Sequence, residues 1–235
     1  MTQENFNRGK FSDIDKDYFY YIDELLKSNV DKKDLIYNFP VYVGSVNLGR
    51  FLFFYDLYKQ IYELNGHIAD IGTYKGASLL TFAKLVKLFE PYNITQVYGF
   101  DWFKGMQASS EDNSQYDGQY VADYEQLSKL IELQKLDNIA VLHKMDIVKE
   151  IDDFMKDNPY MRFKLVFVDC GIKNVLEKSL ENFWPRIING GILIMDHYNG
   201  ECSPAESNIV DKYIGKNHIK QMPFNRQPTG YIIKQ

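Results

Sequence analysis

The chain has 235 residues, 45% of them hydrophobic and 25% charged, which is ordinary globular composition and argues against disorder. Lys and Arg number 27 against 32 Asp and Glu, a net charge of −5, so a basic nucleic-acid surface is not expected. Two cysteines, Cys170 and Cys202, cannot build a disulfide framework or by themselves a four-ligand zinc site. No apolar run reaches about 18 residues, so no membrane span is expected. The opening MTQENFNRGKFSDIDKDYF lacks the apolar core of a secretory signal. A cytoplasmic, reducing setting is the expectation.

No internal repeat, low-complexity tract or Gly/Ser linker divides the chain. It reads as a single domain over 1–235, with residues 1–45 as a helical extension and 46–235 as the core. Helical spacing runs through 14–28 and 46–64. HIADIG (67–72) is a short strand that stops at a glycine. Residues 77–89 form a helix ended by Pro91 and Asn93. QVYGFD (96–101) is the second strand, 121–135 a helix, NIAVLH (138–143) a strand and 149–157 a short helix. KLVFVD (164–169) is an apolar strand ending in aspartate. Residues 174–188 are a helix, Gly190-Gly191 a turn, ILIMD (192–196) a strand and GYIIK (230–234) the last strand. Apolar strands alternating with amphipathic helices predict an α/β fold, a Rossmann-like doubly wound, mostly parallel sheet covered on both faces. Ligands of such sheets bind beyond the carboxyl ends of the strands. Asp70, Asp101, Asp169 and Asp196 all fall at or near those ends.

Three segments carry chemistry. Asp70-Ile71-Gly72-Thr73-Tyr74-Lys75-Gly76 joins a strand to a helix, where glycine lets the backbone approach a ligand and the helix start offers N–H groups. It is neither a Walker loop nor G-x-G-x-x-G, and on its own reads equally as a tight turn. Asp101 ends the next strand, where a carboxylate can accept from a ribose diol or cap a turn. Trp102 and Phe103 follow, as walls for an adenine ring or as core. The third segment is Asp169 with Asp196-His197-Tyr198-Asn199. Its oxygens and imidazole suit a divalent metal, and His197 alternatively serves as general base or as a plain hydrogen-bonding residue.

Together these segments resemble the class I S-adenosylmethionine (SAM) dependent methyltransferases, and more narrowly the macrocin O-methyltransferase (TylF-like) family. The matching stretches are RFLFFYDLYKQI (50–61), ADIGTYKGAS (69–78), EPYN (90–93), YGFDWFKGM (98–106), KMDIVKEI (144–151), LVFVDC (165–170), LENFWPRIINGGILIMDHYNGE (180–201) and PFNRQPTGYIIK (223–234). They run in family order over about residues 45–235. The resemblance implies that Asp70, Gly72 and Gly76 line the methionine part of SAM, with Tyr74 and Ser78 on its carboxylate. It implies that Asp101 holds the ribose, Trp102 flanks the base and Asp146 faces the adenine amino group. Arg50 matches an arginine of the family's leading helix.

The family's acids after the fourth and fifth strands bind magnesium. Here the second acid after the fourth strand is replaced by Gly171, and the acid pair after the fifth strand is Asp196-His197. The implied site is therefore Asp169, Asp196 and His197, holding Mg or Mn or acting through His197 alone. The implied reaction is methyl transfer from SAM to a hydroxyl of a small polar acceptor, a nucleotide-linked sugar or other carbohydrate. Residues 1–45 and 106–122 would form the acceptor pocket. Nitrogen or phenol methylation is one alternative, and a degenerate methyltransferase fold serving as an assembly partner is another. Aromatic-rich leading helices suggest a homo-oligomer.

Other polar residues are set aside. Cys170 reads as a buried inert thiol, His67 and His143 as structural, and His218 as solvated. Glu111-Asp112 and Asp152-Asp153 read as solvated acids.

Overall fold

The structure is a computed structural model that describes residues 12–215 and 219–235. His218 lies outside the described residues. The chain divides into two compact units, residues 1–51 and 52–235, with the division inside one helix. The first unit holds α1 (Ser12–Lys27), α2 (Lys32–Tyr37), α3 (Phe39–Tyr42) and the start of α4 (Ser45–Tyr58). Asp31 caps α2 by accepting from the backbone N–H groups of Lys33 and Asp34. Pro40 sits in the first turn of α3, where its missing N–H costs nothing.

The second unit alternates strands and helices. In order they are β1 (His67–Ile71), α5 (Ala77–Phe89), β2 (Val97–Asp101), α6 (Tyr124–Leu133), β3 (Ala140–Lys144), α7 (Ile147–Asp157), β4 (Phe163–Val168), α8 (Lys173–Phe183), β5 (Ile187–Met195), α9 (Glu206–Ile214) and β6 (Gly230–Ile233). The sheet order is β3-β2-β1-β4-β5-β6. Every pairing is parallel except β5 with β6. This is the doubly wound, mostly parallel α/β sheet expected from the sequence.

Strand side chains alternate between two cores. Ile68, Val97, Leu165, Phe167, Ile192 and Ile194 pack with Phe54 and Phe82 on one face. Ala69, Phe100, Val166, Val168, Leu193 and Met195 pack with Ile151, Leu176 and Phe183 on the other. Burial on both faces explains why these strands read as nearly unbroken apolar runs.

Two expectations are corrected. Gly190-Gly191 is not a turn between helix and strand but lies within β5. The strand advances from Ile187 to Ile192 while β4 advances only from Phe163 to Leu165. Gly190, at φ 81°, absorbs the irregularity, and its N–H still donates to the Lys234 carbonyl. The helix expected over 46–64 ends at Tyr58, and residues 59–64 form turns. No helix of the described residues is long and apolar enough to cross a membrane.

One polar feature sits deep in the sheet. Lys164 is fully buried, and its Nζ lies 2.7 and 2.8 Å from the two Glu90 oxygens, 3.2 Å from Thr95 Oγ1 and 3.2 Å from the Leu64 carbonyl. Tyr58 donates to Glu90 at 2.6 Å. The charges are paired and their remaining donors are satisfied, which is what makes burial tolerable.

Candidate functional site

The chain turns outward in opposite directions from β1, so its crevice opens at the carboxyl ends of β1 and β4. Backbone bonds stitch the strand ends into one rim. Gly72 N–H donates to the Phe100 carbonyl, Met145 to Asp101, Asp169 to Ile71 and Asp196 to Val168, all at 2.9–3.0 Å.

The β1–α5 loop is shaped by two glycines at φ 84°. A Cβ on Gly72 would lie 2.0 Å from the Asp169 carbonyl oxygen, and one on Gly76 would lie 2.5 Å from Leu127 Cδ1. Gly76 is also the N-cap residue of α5, and no side chain caps the helix there, so its first N–H groups are offered to the crevice. Asp70 is fully buried in β1, and Ser78 is buried in the first turn of α5.

Asp101 ties this loop to β2. Its Oδ2 accepts from Tyr74 N–H at 2.8 Å and its Oδ1 from Phe103 N–H at 2.6 Å. The turn-capping reading of Asp101 is therefore realised, with the Trp102 backbone N–H as a further donor to the carboxylate. Burial raises its pKa against the pull of these N–H donors. Trp102 is half-buried and donates from Nε1 to the Gly105 carbonyl at 2.6 Å. Asp146 caps α7 through Val148 N–H at 3.1 Å and pairs with Lys149 at 2.7 Å.

On the other side of the crevice Asp169, Asp196 and His197 each offer a ligand atom, all within 4.8 Å of one another. His197 Nε2 is 3.3 Å from Asp196 Oδ2, and its Nδ1 is 4.0 Å from Asp169 Oδ1. Asp196 is nearly buried, and the late loop holds it: Gln227 Nε2 donates to Oδ2 at 3.3 Å and Thr229 Oγ1 to its carbonyl at 3.0 Å.

A third acid joins them. Glu206, at the start of α9, is fully buried, and its Oε1 accepts the His197 backbone N–H at 2.9 Å. Among the described residues its Oε2 has no hydrogen-bond partner. Sequence reasoning missed Glu206, since a single glutamate nine residues after His197 carries no pattern. Burial lowers the affinity of His197 for a proton, but Asp196, Cys202, Asp169 and Glu206 outweigh it and push its pKa up to about 10. Burial, opposed by His197, pushes Glu206 up to about 7.

Of the acids read as solvated, Glu111, Asp152 and Asp153 are exposed and Asp112 is half-buried, and three of them also make contacts across the fold. Asp112 accepts the Lys173 backbone N–H at 2.7 Å and Glu111 pairs with Lys173 Nζ at 2.6 Å, so the 106–122 loop caps α8 just beyond Asp169. Asp152 bridges α7 to Lys178 and Asn182 of α8. These contacts join residues far apart in sequence, which local pattern does not register. Burial raises the Cys170 thiol well above its ordinary range, so it stays protonated. His67 Nδ1 accepts from Gln96 N–H, and His143 stacks on Phe100.

A family model described as a methyltransferase domain matches residues 69–198. No curated protein sequence matches the chain. Among solved structures the chain is similar to CalS11, described as a calicheamicin methyltransferase, at 21% identity and TM-score 0.83, over 97% of this chain and 94% of that one. An apo form of CalS11, described as a TDP-rhamnose 3'-O-methyltransferase, aligns at 22% identity and TM-score 0.77, over 97% and 96%. The O-methyltransferase NovP aligns at 15% identity and TM-score 0.67, over 80% of each chain. At these identities the likeness is one of fold.

Proposed function

The chain belongs to the methyltransferase-domain family, and from that premise we propose that it moves the methyl group of SAM to a hydroxyl of a small polar acceptor, a nucleotide-linked sugar. The observation that carries this reading is the direct contact of the two halves of the crevice. The Gly72 loop touches the backbone of Asp169, so a cofactor in that loop lies beside the Asp169, Asp196 and His197 cluster. Methyl transfer needs acceptor oxygen, methyl carbon and sulfur in line at near-attack distance, and two sites sharing one backbone contact supply that proximity.

In this reading Asp70, Gly72, Tyr74, Gly76 and Ser78 surround the methionine part of SAM, whose carboxylate suits the uncapped start of α5. Asp101 takes the ribose hydroxyls, Trp102 flanks the base and Asp146 faces the adenine amino group. The fold neighbour CalS11, described as acting on TDP-rhamnose, supports a sugar acceptor.

The residues fit a divalent cation. Three carboxyl groups surround one imidazole, and Asp169, Asp196 and His197 present oxygen and nitrogen donors around one point. Two oxygens and one imidazole suit manganese at least as well as magnesium. Such an ion lowers the pKa of a coordinated hydroxyl. His197 retains its proton at neutral pH while only carboxylates surround it, so it serves as a ligand after releasing that proton rather than as a free base. Asp169, the more exposed of the two aspartates, is the carboxylate positioned to receive the acceptor's proton. Asp196, gripped by Gln227 and Thr229, holds the geometry.

Calorimetry with SAM tests the cofactor half of this reading. Saturable binding that Asp101→Ala abolishes is expected; absence of binding to the intact chain would remove the reading.

A further inference from the structure

The connection from β2 to α6 takes the long way round. A strand-to-helix connection needs only about 2–6 residues, whereas residues 102–123 separate β2 from α6. Within it, residues 104–121 make two distant contacts. Tyr120 packs edge-on against Tyr74 of the β1–α5 loop, with ring centroids 5.5 Å apart. Midway along, Glu111 Oε2 lies 2.6 Å from Lys173 Nζ, and Asp112 Oδ1 accepts the Lys173 N–H at 2.7 Å. Met106 Cε lies 3.5 Å from the place a Cβ on Gly171 would take. The sheet order runs β2-β1-β4, and α8 follows β4. A segment rooted after β2 that touches both the β1–α5 loop and the start of α8 therefore lies across the mouth of the crevice.

This segment is built to move as a unit. Its two ends meet in a narrow neck. Lys104 bridges to Val121, Met106 N–H donates to the Gln119 carbonyl at 2.7 Å, and Gly118 N–H donates to the Met106 carbonyl at 2.8 Å. Left-handed backbone stands on both sides of the neck, at Phe103 and Gly105 (φ 64° and 86°) and at Gly118 and Tyr120 (φ 71° and 63°). Beyond the neck the segment is tied by its own polar side chains. Asp117 accepts from Ala108 N–H at 2.8 Å, and Asp112 Oδ2 accepts from Ser109 N–H and Oγ at 2.9 and 2.7 Å. No residue from 106 to 121 is buried. Lifting the segment breaks the contacts with Lys173 and Tyr74 but uncovers no core, which is what lets a unit open at low cost.

We propose that residues 104–121 are a lid over the crevice, hinged at the Lys104–Val121 neck and latched on the first residue of α8 by Glu111 and Asp112, and that a ligand seated at the Gly72 loop holds the lid shut. The inference rests on the reading of that loop as the SAM site. The Tyr74–Tyr120 contact is the link: Tyr74 N–H is fixed to Asp101, so a ligand that orders this loop orders the Tyr74 ring, and through Tyr120 the lid. Closure keeps water from the space between methyl donor and acceptor, and the latch opens for entry and release.

The Lys173 N–H reports the latch directly. As the first amide of α8 it has no partner within the helix, so Asp112 is what shields it from exchange. Its hydrogen exchange is followed by NMR in the full chain, alone and saturated with S-adenosylhomocysteine. Exchange at least tenfold slower in the complex is expected, although Lys173 is not part of the cofactor site. Glu111→Ala leaves the Asp112 acceptor in place and should speed exchange by about two- to fivefold, the range an exposed ion pair allows. It should shorten the residence time of S-adenosylhomocysteine to match, with the melting temperature unchanged. Tyr120→Ala should still bind S-adenosylhomocysteine but lose its effect on the Lys173 amide. Three results would each overturn the lid: bound S-adenosylhomocysteine that leaves Lys173 exchange unchanged, a Tyr120→Ala chain that transmits the full effect, or a Glu111→Ala chain with wild-type exchange and residence time. Failure of S-adenosylhomocysteine to bind the intact chain would instead overturn the methyltransferase reading on which the lid rests.

Discussion

Gly72 and Asp169 touch so closely that no side chain fits between them: a Cβ on Gly72 would stand 2.0 Å from the Asp169 carbonyl oxygen. Gly72 also sits at φ 84°, where side chains are strained. Gly72→Ala must therefore shift the loop, the end of β4, or both. The expected cost is about 2–5 kcal/mol from strain and overpacking together. SAM affinity should fall at least tenfold, read by calorimetry beside thermal denaturation. Unchanged stability and affinity would show that the loop and β4 move independently.

The proton on His197 governs cation binding. His197 holds that proton up to a pH of about 10, against an ordinary value of 6.5, and coordination requires its loss. Manganese affinity should therefore rise about tenfold per pH unit between pH 7 and 9. His197→Ala should flatten that slope as well as weaken binding. In the cation-free protein the sign is reversed. The charged imidazole stabilises the fold fully below pH 6.5, and that contribution is lost as pH climbs through about 10.

Glu206 acts through His197. Glu206→Gln keeps an oxygen to accept the His197 N–H but removes a buried negative charge. That charge helps hold the His197 proton, so the pH at which His197 releases it should fall in Glu206→Gln, read by NMR titration of the imidazole with the fold intact. Glu206→Ala removes the acceptor as well and should also lower the melting temperature. An unchanged His197 titration in Glu206→Gln would deny Glu206 this role.

Far from the crevice, Lys164 and Glu90 form a buried pair whose halves should not be separable. Lys164→Met leaves Glu90 buried without its counter-charge and should cost about 3–5 kcal/mol in denaturant unfolding. Lys164→Met combined with Glu90→Leu should recover much of that loss. A strictly additive double variant would contradict the pairing.

Much of this architecture is legible in the sequence because parallel strands buried on both faces read as apolar runs, and β1, β2 and β4 each run into the rim that bears Asp70, Asp101 and Asp169. What stays hidden is instructive. The helix α9 has only Ile209 and Val210 as buried apolar residues, so its periodicity is weak. The first half of β5 is masked by Asn189-Gly190-Gly191, which has the composition of a turn yet stays paired through backbone atoms alone. Glu206 and Asp112 gain their meaning from partners brought close by folding, and no local spacing announces them. The cluster of Asp169, Asp196 and His197 is legible only because strand ends must share one edge of the sheet.

The most direct measurement is mass spectrometry of a panel of nucleotide sugars incubated with SAM, manganese and the full chain. The account predicts a gain of one CH₂ on a sugar hydroxyl of at least one panel member, and loss of that product in Asp169→Asn. SAM binding with no methylated sugar, or undiminished product from Asp169→Asn, would contradict it.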